Sequence, residues 1–162
     1  GVFTWSNGET YEGEWHNGMK HGSGVWRGTK GESYIGEWKY GKADGQGVMF
    51  GEMVFQLSWQ MTLNNFRLGD RYEGEFKNCL KHGHGTERFS NGDYYVGNYV
   101  NGKPDGYGEY FWANGCQYKG FFRNGLRYGK GVWRKGPGNA DKYEGEWVND
   151  KKCGHGIYTW AS

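Results

Sequence analysis

The sequence predicts an all-β protein built from consecutive antiparallel hairpins, and three observations lead to that prediction. One pattern of residues recurs along the chain, apolar and polar residues alternate within each copy, and Asn-Gly pairs punctuate the pattern. A fixed period of this kind is typical of repeat architectures. No segment shows the period of about 3.6 residues that marks an amphipathic helix.

Each copy of the pattern begins with a tyrosine and runs to a pair of glycines at fixed spacing. Positions are counted from the leading tyrosine, so that Gly24 lies at position +13 of the copy that starts at Tyr11. The six copies begin at Tyr11, Tyr34, Tyr72, Tyr95, Tyr118 and Tyr143. Residues 1–10 and the last residues both read as the second half of a copy, and we therefore expect the chain to be a segment of a longer protein.

The first part of each copy has the alternation of a β-strand. Tyr11, Gly13 and Trp15 alternate with two glutamates, so one face of the strand is aromatic and the other is acidic. A link that contains Asn17-Gly18 leads to a second strand at about 22–26, and other Asn-Gly pairs lie between copies. Asn-Gly suits the type I′ turn of a hairpin because both residues tolerate positive φ. Each copy is therefore predicted to be one hairpin.

The repeated glycines are predicted to make room for aromatic rings. Glycine has no side chain, so Gly13, Gly22 and Gly24 would let a ring from a neighbouring strand lie directly on the backbone. A phosphate-binding loop is disfavoured because each Gly-x-Gly lacks the third glycine of that motif, with Arg27 in its place in the first copy.

An insertion separates the second copy from the third. The spacing between leading tyrosines is 23 for most neighbouring copies but 38 between Tyr34 and Tyr72, and the extra residues lie at about 52–65. Apolar residues such as Phe55 and Trp59 alternate there with more polar ones, which predicts an amphipathic strand. Two interpretations remain open: an extra strand packed on the array, or an exposed edge that binds a partner strand or another copy.

Composition excludes several functional classes. The chain has 20 basic and 18 acidic residues, a balance that gives no field suited to nucleic acid. No apolar run approaches the roughly 20 residues of a membrane span, and no signal peptide is evident. The three cysteines occupy different repeat positions, which indicates reduced thiols in a cytoplasmic protein. Aromatic residues make up 19% of the chain, which argues against disorder.

Catalytic, cofactor and metal sites are not predicted. The paired glutamates, such as Glu12 and Glu14, recur with the repeat and share one face, whereas an acid–base pair needs two different environments. His82 and His84 lie a few residues apart, but nothing indicates that they converge with other ligands on one point, as zinc requires. No nucleophile motif is present. We therefore expect a protein that is not an enzyme.

Basic residues concentrate in the links between the two strands of each copy, at Lys20, Lys81, Lys103, Arg127 and 151–152. Stacked copies would align them along one edge of the sheet. Such a row could bind anionic lipid headgroups or an acidic partner. It could equally protect the sheet edge against aggregation.

The pattern Tyr-x-Gly-x-Trp-x-x-Gly-x-x-x-Gly-x-Gly resembles the MORN repeat (membrane occupation and recognition nexus) over essentially residues 1–160, apart from the insertion. Departures are few: Cys79 and Asp150 replace a link glycine, and Tyr99 and Phe122 replace the tryptophan. The resemblance implies an elongated, twisted, single-layer antiparallel sheet with an aromatic groove. It also implies scaffolding, as in ciliary radial spoke heads and cytoskeletal collars, or a place beside a lipid kinase or methyltransferase domain.

We therefore expect a non-enzymatic scaffold of a ciliary, axonemal or other cytoskeletal assembly, cytoplasmic, that holds a protein partner along the groove. A sheet of one layer would leave the groove aromatics half exposed and available to the partner. The alternatives are phosphoinositide binding through the basic links, or an accessory domain of a lipid kinase or methyltransferase. The predicted contact residues are Tyr11, Trp15, Tyr34, Trp38, Tyr72, Phe76, Tyr95, Tyr99, Tyr118, Phe122, Tyr143 and Trp147, with Phe55 and Trp59 from the insertion.

Overall fold

Strands that follow one another in the sequence lie side by side in one open antiparallel sheet. The structure, a computed structural model, describes residues 1–51 and 69–161, and these residues form thirteen strands in the order β1 to β13. Each strand contacts chiefly the strands before and after it. The prediction of an all-β array of consecutive hairpins is confirmed. The predicted strand at 52–65 lies outside the described residues.

Each complete copy contributes one strand of seven residues and one of nine. The strands are β1 (Val2–Thr4), β2 (Thr10–His16), β3 (Met19–Arg27), β4 (Ser33–Lys39), β5 (Lys42–Phe50), β6 (Arg71–Lys77), β7 (Leu80–Arg88), β8 (Tyr94–Val100), β9 (Lys103–Phe111), β10 (Gln117–Arg123), β11 (Leu126–Arg134), β12 (Lys142–Val148) and β13 (Lys151–Thr159). The second strand is longer than the predicted 22–26, because pairing resumes beyond a bulge and continues to the link.

The two kinds of turn differ in geometry. In the links inside copies both central residues have positive φ, 48° at Asn17 and 75° at Gly18, as type I′ requires. Between copies only the glycine has positive φ, as at Gly8, and the Asn7 side chain instead accepts a hydrogen bond from the Glu9 amide at 3.0 Å. The type I′ prediction is therefore wrong for these turns between copies, where the chain reverses in a β-turn such as Trp5–Gly8, closed by the Gly8 amide donating to the Trp5 carbonyl oxygen at 3.0 Å.

Paired glycines form one continuous strip across the strands of the sheet. Gly13 pairs with Gly24 inside the first copy, and Gly24 pairs in turn with Gly36 of the next. The ring of Tyr11 lies on this strip and its hydroxyl donates a hydrogen bond to the Glu14 carbonyl oxygen at 2.8 Å. A Cβ on Gly24 would overlap that ring. The predicted role of glycines as ring floors is thus confirmed at position +13. At position +2 a Cβ on Gly13 would overlap the backbone of Gly24 and Ser23 and the Tyr11 hydroxyl, so glycine there permits the close approach of the two strands.

The glycine at position +11 has a different role. Gly22 has a φ of 65° at a bulge, and a side chain there would overlap the carboxylate of Glu14. That carboxylate accepts a hydrogen bond from the Ser23 amide at 2.6 Å, and Glu75 accepts one from the His84 amide at the same distance. The prediction that Gly22 is a ring floor is therefore wrong. The second glutamate of each such pair binds the bulge from the opposite face, which we call the glutamate face; the side that carries the rings is the tyrosine face.

We expect Gly85→Ala to destabilise the array by about 1–3 kcal/mol, because overpacking a close-packed site costs that much. The new methyl group would lie 2.5 Å from ring carbons of Tyr72. Gly136→Ala is the matched control, since its nearest heavy atom would be 3.8 Å away. Urea unfolding followed by tryptophan fluorescence measures both. Equal midpoints for the two variants would contradict the ring-floor assignment.

Candidate functional site

The twelve predicted contact residues among the described residues form one unbroken ladder of rings. Each leading tyrosine meets the ring at position +4 of its own copy, and each but the last also meets the ring at position +4 of the next. Tyr34, for example, has its ring centroid 4.9 Å from that of Trp38 and 5.0 Å from that of Phe76. All the contacts in the ladder are T-shaped, which is a favoured arrangement for aromatic pairs.

This aromatic ladder is the core of the protein rather than an open groove. Eleven of its twelve residues are buried, and only Trp15 is exposed, at 42%. The expectation that these rings are half exposed is therefore wrong for the rest. The reason is that each ring is enclosed by the glycine strip beneath it and by neighbouring rings on both sides. Phe55 and Trp59, the other two predicted contacts, lie outside the described residues.

Basic side chains at position +9 cover the ladder in four copies. Lys20 pairs with Trp15 across the hairpin, so its side chain points to the tyrosine face and not along the sheet edge. Its ammonium nitrogen lies 5.0 Å from the Trp38 ring centroid in the next copy. Arg127 lies similarly over Trp147 of the next copy, and Lys152 lies over Tyr143 of its own. The prediction of a basic row is thus wrong for Lys20, Lys81, Arg127 and Lys152, which make cation–π contacts instead.

The third copy contains a buried polar network. The Lys81 ammonium donates to both carboxylate oxygens of Glu87, at 3.1 and 3.2 Å, and the Tyr99 hydroxyl donates to one of them at 2.6 Å. All three residues are buried. Burial lowers the pKa of Lys81, while Glu87 opposes that effect, and burial together with Glu87 raises the pKa of Tyr99. The Lys81–Glu87 ion pair and the neutral Tyr99 phenol therefore form hydrogen bonds to one another inside the core.

Sequence reasoning missed this network, although a signal was present. Position +15 is Trp26, Met49, Tyr110 and Trp133 in other copies, and Glu87 is the one carboxylate in that series. A charge at an otherwise apolar repeat position indicates a buried partner, because an unpaired buried charge is strongly unfavourable.

Tyr34, Tyr72 and Tyr118 act as hydrogen-bond donors throughout the neutral range. Burial, reinforced by nearby carboxylates, raises the pKa of Tyr34 and Tyr72 well above the ordinary value of 10, and burial raises that of Tyr118 to about 12. Their hydroxyls therefore remain protonated and keep their bonds to the carbonyl oxygens at position +3.

Accessible aromatic side chains flank the ladder. Phe89, Tyr110, Trp112 and Trp133 are partly buried against it, and we call them the aromatic rim. The Tyr110 and Trp112 ring centroids are 4.7 Å apart, and the Arg127 guanidinium lies 5.6 Å from the Trp112 ring. These residues were not predicted as contacts, although aromatic residues recur at positions +15 and +17. The rim presents rings and a cation to whatever lies over the tyrosine face.

Other chemistry has little support in the described part of the chain. Over residues 1–51 and 69–161, no three histidine, cysteine or acidic side chains converge so as to hold a metal ion. Cys79 is buried, Cys116 is partly buried and Cys153 is exposed, and all three are free thiols. No helix in the described residues could cross a membrane.

Comparison with known families agrees with this architecture. A family model described as the MORN repeat matches residues 1–10, 11–33, 34–52, 72–94, 95–117, 118–140 and 143–162. The chain belongs to the MORN repeat family. A search of curated proteins returned no match. MORN repeats are modules of protein and membrane interaction, so the resemblance inferred from the sequence is confirmed at the level of the family.

We expect Glu87→Gln to destabilise this MORN array by about 3–5 kcal/mol, because it removes the charge that balances the buried Lys81 ammonium. Glu144→Gln is the control, since the Lys142–Glu144 pair is exposed and such pairs contribute about 0–1 kcal/mol. The triple variant Lys81→Ala, Glu87→Met, Tyr99→Phe introduces the buried apolar residues found one copy earlier, Ala43, Met49 and Phe76. It should recover most of the lost stability. Urea midpoints that are equal for Glu87→Gln and Glu144→Gln would contradict the assignment.

Proposed function

We propose that this MORN array is a non-enzymatic scaffold that holds a segment of a protein partner along its tyrosine face. The observation that carries the proposal is the aromatic rim, which offers half-buried rings beside a rigid ladder. Interface hot spots are enriched in tryptophan, tyrosine and arginine held in well-packed surroundings. Trp112, Trp133 and Arg127 fit that description.

The ladder residues and the rim have different tasks in this proposal. Tyr95 and Tyr99 are fully buried, so alanine at either position would remove core and not only a contact surface. The eleven buried ladder residues therefore support the partner from beneath, and Trp15, which is exposed, touches it directly. The rim and the cations at position +9 supply the remaining contact.

The setting that we propose is a cytoplasmic ciliary, axonemal or other cytoskeletal assembly, of the kind in which radial-spoke-head MORN proteins occur. Family resemblance alone supports this setting, and the three free thiols agree with a reducing compartment. An accessory role beside a lipid kinase or methyltransferase domain is the alternative within the same family. Both settings use the array as a binding module.

Photocrosslinking in the native assembly tests the scaffold. A photoreactive phenylalanine analogue placed at Trp112 or Trp133 should capture the same partner protein, whereas one at Tyr40, exposed on the link edge, should not. The double variant Trp112→Ala, Trp133→Ala should weaken binding of that protein by about tenfold or more, since two rim rings are lost. Capture at Tyr40 alone, or undiminished binding by a folded double variant, would overturn the proposal.

Membrane binding is a second candidate, favoured by a row of exposed cations on the link edge. These residues flank the central pairs of the links and all are exposed: Lys39, Lys42, Lys77, Lys103, Arg123 and Lys151. Two carboxylates on the same edge, Asp44 and Asp105, accept hydrogen bonds from backbone amides of the next link. A row of cations near a surface attracts anionic lipid by about 1 kcal/mol per residue.

Vesicle co-sedimentation tests this second function. The chain should pellet at low salt with phosphatidylcholine vesicles that contain phosphatidylinositol bisphosphate, and less so with pure phosphatidylcholine. The variant Lys77→Ala, Lys103→Ala, Lys151→Ala should lose most of the binding, because each exposed cation contributes to the attraction. Absence of pelleting at low salt, or equal pelleting of the triple variant, would rule this function out.

A further inference from the structure

The glutamate face changes character in the middle of the array. On this face position +12 of one copy pairs with position +3 of the next, and antiparallel partners point to the same side. The pairs, in chain order, are Ser23 with Glu37, Gln46 with Glu75, His84 with Asn98, Tyr107 with Phe121, and Lys130 with Glu146. Among these pairs, that of Tyr107 and Phe121 alone is aromatic.

The two rings of this pair form an exposed apolar surface. Tyr107 and Phe121 are 47% and 48% exposed, and their ring centroids are 5.8 Å apart in a T-shaped contact. Together with Val132, Lys119 and Lys130 they line a groove of about 550 Å³. We call these five residues the outer patch. They lie on the opposite side of the sheet from the aromatic ladder.

The outer patch coincides with the loss of a repeated hydrogen bond. In three copies the glutamate at position +3 binds the backbone amide at position +12, as Glu14 binds Ser23. In the fourth and fifth copies Asn98 and Phe121 replace that glutamate. Within residues 1–51 and 69–161, no side chain accepts a hydrogen bond from the amide of Lys130.

Space is also left open at this place. In the first copy a side chain on the bulge glycine would overlap the Glu14 carboxylate, whereas at Gly129 the nearest atom to an added Cβ would be Phe121 Cβ at 3.7 Å. A carboxylate from outside the chain could therefore approach the bulge where the fifth copy has none of its own. The ammonium groups of Lys119 and Lys130 are exposed on the same patch.

The charges around the outer patch restrict where a carboxylate can bind. Glu144 and Glu146 line the side of the same groove that is formed by β12, and Glu146 pairs with Lys130 across the strands, while Glu73 and Glu75 lie on this face in an earlier copy. A carboxylate would be attracted at the two lysines and repelled by these glutamates. Such an arrangement selects the position of binding, because like charges brought together across an interface cost several kcal/mol.

We propose that the outer patch binds a segment of a protein partner in which a carboxylate neighbours an apolar side chain. The carboxylate takes the place of the missing glutamate at the Lys130 amide, with Lys119 and Lys130 nearby. The apolar side chain rests on Tyr107, Phe121 and Val132. This surface lies on the face opposite the aromatic rim, so the proposal does not depend on the scaffold function proposed above.

Phe121→Glu is the decisive variant, because it restores the repeated glutamate and removes one ring of the patch. We expect it to fold as well as the parent, since glutamate occupies this position in four other copies. Ile35→Glu is the matched control: it adds the same charge at an exposed apolar position of the same face, at 46% exposure, outside the patch. Circular dichroism and urea unfolding confirm the fold of both variants.

The probe is a short synthetic peptide in which glutamate alternates with phenylalanine and leucine, with a glutamine-for-glutamate peptide as its neutral counterpart. In amide-resolved NMR titrations of the 162-residue chain, the acidic peptide should shift the Lys130 and Tyr107 amides. Its affinity should fall by about tenfold or more with the neutral peptide or with Phe121→Glu, and little with Ile35→Glu.

Several results would overturn the proposal. Equal binding of the acidic and neutral peptides would remove the carboxylate from the mechanism, and undiminished binding by Phe121→Glu would remove the patch. Absence of any shift at the Lys130 amide at millimolar peptide would exclude the site. Sedimentation that shows a dimer abolished by Phe121→Glu would assign the patch to a second copy of the chain. Vesicle binding abolished by the same variant would assign it to lipid.

Discussion

The contact of a tyrosine ring with a pair of glycines underlies the rest of this structure. A sheet normally buries its apolar face against a second layer. The described residues of this chain form one sheet, so the rings must bury one another and the backbone beneath them. Burying a large apolar side chain contributes about 1.5–3 kcal/mol, and a T-shaped aromatic pair adds about 0.5–1.5 kcal/mol. Both contributions require glycine at position +13, where a Cβ would overlap the ring, and at position +2, where a Cβ would overlap the backbone of the partner strand and the tyrosine hydroxyl.

This constraint makes departures from the repeat more informative than the repeat itself. Residues that recur in most copies have structural roles: Tyr34 is buried in the core, and the Glu37 carboxylate binds a backbone amide at the bulge. A residue that replaces a recurring one changes the contacts at its own position. Glu87 brings an ion pair into the core, whereas Phe121 replaces the carboxylate that binds the bulge in three other copies and adds an exposed apolar surface. Among the described residues, these two departures lie in the third and fifth copies.

The predicted site illustrates how far sequence reasoning reached. The twelve ladder residues, which are the leading tyrosines and the rings at position +4, were identified correctly as one aligned set on one face. A period of two along the strand and a fixed repeat are enough to place them. Their burial was not foreseen. Exposure depends on what lies above each ring, and Lys20 or Arg127 reaches that place only through the cross-strand register. The same register turned four basic residues away from the edge where a row had been predicted.

The sequence by itself determined that this protein is an all-β array of hairpins, because the alternation, the Asn-Gly links and the glycine positions are local properties of the chain. It also determined the family, since the repeat is specific to MORN proteins. The tertiary structure decided which side chains are accessible. The rings of the aromatic ladder are buried, apart from Trp15, whereas the aromatic rim is partly exposed and the rings of the outer patch are exposed. Accessibility arises from contacts between strands of different copies, such as Tyr107 beside Phe121 or Tyr34 beside Phe76, and no single copy contains both members of such a pair.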